Sequence, residues 1–306
     1  MDINTTISQI ISLFLIMLVG YVMNKRGVID DAARVRFTRL IINISLPAQI
    51  LKAFVSNQGI VSNGEVLTVF GISLLAYALY AVLGILFLVL VRVPKEEQGT
   101  YLFMMMFGNV GFMGFPLVEA IYGEGALIYA VIFNVIFNLL VYSVGIMMIG
   151  KRGNGTRFEP KKLLNMPFLS AGLSLVLYFA KIQLPDVVMD SLDFLGNVTT
   201  PVAMLILGAT IAAMPLKELF DEWRIYVFTL VKLLVVPLAA IAVLRYLPIS
   251  SEIVKGSLIV LSATPVATNA TMLAIEYDGD MALTSKGIFF TTLLCMVTIP
   301  LIQAFC

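Results

Sequence analysis

The chain has 306 residues, 60% of them hydrophobic and 13% charged, with a net charge of +1. Runs of about 20 apolar residues recur along its length, each able to cross a bilayer core of about 30 Å, so a polytopic membrane protein is expected and a soluble core is excluded. The near-zero charge argues against a nucleic-acid partner, and the absence of histidine removes the commonest metal ligand and proton relay.

The hydropathy pattern predicts an all-α membrane protein of ten spans, at roughly 7–24, 34–55, 66–91, 99–122, 126–149, 166–182, 189–213, 223–247, 253–275 and 281–304. The first apolar segment lacks a basic n-region and an A-x-A-like exit, so it is expected to be a retained helix. Alternate loops carry fifteen lysines and arginines against four in the other set, which places both termini outside and the 150–165 loop in the cytoplasm. The two cysteines, Cys295 and Cys306, have no metal-ligand spacing and read as apolar filler.

The loop GKRGNGTRFEPKK is the only linker-like segment. It divides the chain into a first repeat (1–150), a cytoplasmic loop (151–165) and a second repeat (166–306). Asn43-Ile44-Ser45-Leu46-Pro47 in span 2 corresponds to Asn197-Val198-Thr199-Thr200-Pro201 in span 7, and the Tyr122–Gly125 stretch to Tyr277–Asp280. Five spans per half is an odd number, so the second half must enter the membrane inverted, the 5+5 plan of secondary transporters.

Two spans are interrupted. GNVGFMGFP (Gly108 to Pro116) breaks span 4, and SATPVATNATM (Ser262 to Met272) breaks span 9. Glycines and a proline in a membrane helix leave backbone groups that need partners from protein, water or ligand. Counted at 1.5 Å per residue, Asn109 lies ~16 Å from the cytoplasmic edge at Gln98, and Pro265 ~18 Å from the outer edge at Ile253, so the breaks coincide in depth. Half-helices are expected to start near Leu117 and Val266, with N-termini suited to an anion. Candidate substrate contacts are Asn109, Gly111, Gly114, Pro116, Thr264, Pro265, Thr268 and Asn269. The carbonyl ends of the preceding half-helices would suit a cation such as sodium.

Asn43, Ser45, Asn197 and Thr199 precede Pro47 and Pro201, and read equally as a wall of the site or as local repair of a proline kink. Lys232, ~13 Å in from Trp223, is the ion-coupling candidate. Glu119 and Glu276 fall near opposite interfaces and are expected to be wet, while Asp278 and Asp280 should cap span 10. No catalytic residue is indicated: an intramembrane hydrolase would need a histidine or a buried acid pair, and no P-loop is present for a nucleotide-driven pump.

GNVGFMGFP, the TPVATNATMLAIEYDGD run and the paired N-x-[ST]-x-P motifs resemble the auxin efflux carrier family over essentially the full length. The resemblance implies spans 4 and 9 crossing at their breaks, with substrate bound beside the crossing. It also implies a scaffold of spans 1, 2, 6 and 7 against which the others move. Bacterial members are generally regarded as malate or malonate permeases, and the short central loop argues for a prokaryotic inner-membrane carrier. The implied function is alternating-access transport of a small organic anion such as malate, malonate or an auxin-like acid; no cofactor or metal is expected, and sodium or a proton is the candidate for any coupling ion. A sodium-coupled bile-acid-like carrier is the alternative, and a homodimer is left open.

Overall fold

A computed structural model describes residues 3–58, 61–150, 164–214, 220, 222–249 and 251–304. Most of the central basic loop therefore lies outside the described residues. The described chain is helical, its only ladder contact being an isolated bridge between Gly108 and Val266. Among the described residues five helices are long and apolar enough to cross a membrane: Asn63–Leu90, Glu124–Ile149, Asp186–Ala213, Trp223–Tyr246 and Met281–Gln303. Shorter apolar helices run over Ile10–Lys25, Val110–Tyr122 and Met166–Phe179. Leu74, Val82, Ile85, Leu86 and Val89 stand exposed along Asn63–Leu90, a surface that suits hydrocarbon.

The helices absorb their prolines in a regular way. Pro47, Pro116 and Pro237 each sit in the first turn of an α-helix that follows a π-helical turn, respectively Ile41–Ser45, Val110–Gly114 and Val231–Val235. Proline has no N–H to donate, and its ring clashes with the carbonyl four residues back; a wider turn relieves both demands. Pro116 is thus carried inside a helical stretch. The true interruption of span 4 comes earlier, at Phe107–Asn109, where Phe107 is extended (φ −106°, ψ 102°). Helix resumes at Val110 instead of near Leu117, and in span 9 at Asn269 instead of near Val266.

The chain packs as two compact units, each drawing on both sequence halves. The first comprises Met1–Phe70, Gly111–Val135 and Leu164–Met214. Its centre is the pairing of Ile3–Lys25 with Thr199–Ala213, where Gly20 faces the backbone of Leu205 and Gly208 the backbone of Met17. Small residues at such contacts let membrane helices approach closely enough for dispersion to hold them. Tyr178 donates its hydroxyl to Val61 O and stacks edge-on to Phe54, with centroids 5.9 Å apart.

The second unit comprises Gly71–Val110, Ile136–Leu163 and Pro215–Cys306. An aromatic cluster fills it: Phe87, Tyr101 and Phe228 lie 5.4–5.7 Å apart, and Phe107 contacts Phe103, Tyr77 and Phe137. Met104, Met105 and Met106 are buried packing residues here, and Cys295 is a buried thiol donating to Thr292 O. Asp280 caps Met281–Gln303 by accepting from Leu283 N at 2.8 Å, in keeping with the capping read from the sequence.

Candidate functional site

The breaks of spans 4 and 9 meet within the second unit and repair one another. Asn109 N donates to Pro265 O at 2.7 Å, and Ala267 N donates to Phe107 O at 3.0 Å. Val266 N is taken by Thr291 Oγ1 at 3.0 Å, and that hydroxyl donates in turn to Gly287 O at 2.6 Å. Gly108 is required at the contact, since a Cβ there would run into Thr264 Oγ1. Thr264 is itself held, donating to Leu261 O at 2.7 Å to close the helix Glu252–Ser262. The N–H groups of Val266 and Ala267, expected from the sequence to face an anion, are therefore already engaged. In an apolar setting a paired backbone is the cheaper state.

Several side chains at the crossing remain unengaged. Asn109 is 3% exposed, and its Nδ2 has no hydrogen-bond partner. Asn269, half-buried at the start of Asn269–Glu276, has an Oδ1 in the same condition. Thr268 stands half-buried at the N-cap of that helix without a side-chain capping bond. Thr271 Oγ1 meets Ser285 Oγ at 3.5 Å. A buried amide donor without a partner costs roughly 1–3 kcal/mol, which an arriving acceptor recovers. Thr291 was missed by sequence reasoning. Nothing in the sequence singles it out from Thr284, Thr292 and Thr298 of the same helix.

Lys232 also belongs to this unit. It is 1% exposed, donates through Nζ to Met105 O at 2.9 Å and lies 5.5 Å from the centre of the Tyr80 ring. It does not snorkel to an interface.

The remaining candidates fall in the first unit. Gly111 and Gly114 lie in the π-helical turn Val110–Gly114, and Pro116 is buried in the helix Phe115–Tyr122. A Cβ at Gly111 would meet nothing within 4 Å, so no close approach requires that glycine. Asn43 is exposed and donates to Arg39 O at 2.8 Å; Asn197 is exposed and donates to Asp193 Oδ1 at 3.1 Å. Both bonds are local, which favours the kink-repair reading for these two. Ser45 and Thr199 are fully buried, Thr199 Oγ1 without a partner. Glu119, expected at a wet interface, is instead half-buried, accepting from Gln49 Nε2 at 3.2 Å and Thr200 Oγ1 at 3.1 Å. Lys52, one turn from Gln49, pairs with both Glu124 and Asp193.

A crevice of about 910 Å³ in the second unit is lined in part by Lys95, Glu96, Gln98, Thr100, Asp278 and Asp280. Beside it the Glu97 carboxyl is pushed up by burial and by Glu222, against the pull of Arg224. Among the described lining residues carboxylates outnumber cations, which disfavours an anion there.

The chain is 23% identical over 301 residues to an uncharacterized transporter of Methanocaldococcus jannaschii, covering 95% of this chain and 96% of that one. It is 22% identical over 315 residues to the uncharacterized transporter YfdV of Escherichia coli, covering 96% of each. It is 27% identical over 248 residues to the "Putative malonate transporter" of Rhizobium meliloti, covering 76% and 74% of the two chains. Residues 5–303 match the family described as Membrane transport protein, and the chain belongs to that family, the one that holds the auxin efflux carriers.

Proposed function

We propose that the chain is a secondary carrier for a small carboxylate of the malonate or malate kind, bound beside the crossing of spans 4 and 9. The observation that carries this reading is the buried, partnerless Nδ2 of Asn109 beside a crossing whose Asn109, Val266 and Ala267 amides are already engaged. A donor amide is what a carboxylate oxygen needs, and a neutral one spares the protein a permanent buried charge. The likeness to the Rhizobium meliloti protein supports the substrate class. The Thr268 hydroxyl and the Nδ2 of Asn269, rather than its orphaned Oδ1 acceptor, would supply the second edge of the site.

In this reading ten spans form a 5+5 inverted repeat about the central loop, and alternating access is of the elevator type. Partial support comes from the first unit, which contains the residues of spans 1, 2, 6 and 7 that the family plan uses as scaffold, together with Gly111–Val135 from spans 4 and 5. Both termini then lie outside a prokaryotic inner membrane. A cysteine in place of the exposed Lys181 should react with a membrane-impermeant maleimide on intact cells, and one in place of Asn154 should react only after permeabilisation. Labelling of Asn154→Cys from outside would refute this topology.

The site is tested by malonate binding to purified protein. Asn109→Ala and Asn269→Ala should each weaken binding by about 10-fold, the range of one hydrogen bond to a charged group, with expression retained. Normal binding and uptake in both variants would leave the crossing a structural feature only.

A further inference from the structure

The break in span 4 creates a second vacancy besides the Asn109 side chain. In a continuous helix the Asn109 amide would donate to the carbonyl four residues back, Met105 O. Here that amide is given to Pro265 O at 2.7 Å, so Met105 O loses its backbone donor. Lys232 Nζ fills the place at 2.9 Å.

Several features show the lysine to be built into this position. Its side chain is 1% exposed, and its ammonium faces the Tyr80 ring, 5.5 Å from the centroid, a favourable cation–π setting. It stands in the π-helical turn Val231–Val235 that Pro237 imposes on the helix. No carboxylate of the described residues forms an ion pair with it. The helix Gln98–Met106 ends at this point, and a helix end carries about half a negative charge. That carbonyl end is where an inorganic cation would otherwise find its oxygen ligands.

We propose that Lys232 is a positioning residue of the crossing: a tethered cation that replaces the lost Asn109 amide at Met105 O and occupies the carbonyl end of the half-helix that a sodium ion would otherwise take. The lysine thereby holds Phe107, Gly108 and Asn109 in the non-helical form that presents the Asn109 side chain. This inference goes beyond the anion reading and does not depend on it, because it concerns the ligand-free protein.

The test uses ligand-free protein in detergent, with sodium chloride compared with choline chloride at equal ionic strength. Thermal stability and hydrogen exchange of the segment Phe103–Val110 are read for the wild type and for Lys232→Met. The wild type should melt at the same temperature in both salts. In choline, Lys232→Met should exchange that segment about 10-fold faster, the size of one lost hydrogen bond to a charged group. Sodium should recover part of the loss, since the emptied carbonyl end can now take the ion; a lysine that only packs would create no such ion-specific response. A variant whose exchange matches the wild type, or whose loss sodium does not repair, would overturn the assignment. So would a wild type that gains stability specifically from sodium, an arm that holds even if the variant fails to fold. Malonate is absent throughout, so failure of the anion site leaves the result readable.

Discussion

Gly208→Ala should sharply reduce the yield of folded protein, although it adds a single methyl group to a helix. The added carbon would overlap the carbonyl oxygen of Met17 and lie 2.8 Å from Met17 C and Tyr21 N. These are backbone atoms on the facing helix, and no rotamer change moves them. The helices Ile3–Lys25 and Thr199–Ala213 would have to separate, and Gly20 would lose its seat on Leu205 at the same time. Overpacking of this kind costs about 1–3 kcal/mol, and the upper end or beyond is expected where backbone opposes backbone. Gly172→Ala is the control. A Cβ there meets nothing within 4 Å, and alanine in a helix gains ~0.5–1 kcal/mol over glycine, so its melting temperature should hold or rise. Melting in detergent, followed by size exclusion, distinguishes the two; equal melting temperatures would refute the close-packing account of Gly208.

Thr291→Val should damage both stability and malonate binding while keeping the side chain's shape. The Thr291 hydroxyl accepts from Val266 N at 3.0 Å and donates to Gly287 O at 2.6 Å, at 0% exposure. Valine removes both bonds and leaves the Val266 N–H buried without a partner, a cost of about 1–3 kcal/mol. The loss falls on the extended arm that leads to Thr268 and Asn269, so binding should weaken with it. Thr298→Val on the same helix is the matched control. Its hydroxyl has no partner, and its replacement should be neutral or mildly stabilising. If Thr291→Val melts and binds malonate as the wild type does, the hydroxyl plays no part in holding the crossing.

Much of the architecture could be read from residue types alone. Long apolar runs are a local property, and the cost of an unpaired backbone in hydrocarbon leaves helices as the economical way to bury them. The interruptions were equally legible, because Gly108 and Pro265 carry their backbone constraints with them. Asp280 as a cap followed from a carboxylate placed before an apolar run, and the structure has it in that role.

What composition and spacing could not settle was which distant group answers each local demand. The whole stretch Gly108–Pro116 was read as the break, yet a π-helical turn carries Val110–Gly114 into the helix that holds Pro116, and the non-helical residues are Phe107–Asn109. The N–H groups after Pro265 were read as anion donors, yet Phe107 O and Thr291 Oγ1 accept from two of them. Glu119 was read as wet, yet Gln49 and Thr200 reach it. Lys232 was visible as a buried charge, but its partner is a main-chain carbonyl, which looks the same at every position of a sequence. Thus the sequence by itself determined that the apolar run around Gly108 must break and that polar groups accompany the break. Only the tertiary structure decided that the backbone of span 9 would satisfy the break, leaving two asparagine side chains over, because hydrogen-bond pairing between segments more than 150 residues apart depends on three-dimensional register and not on local preference.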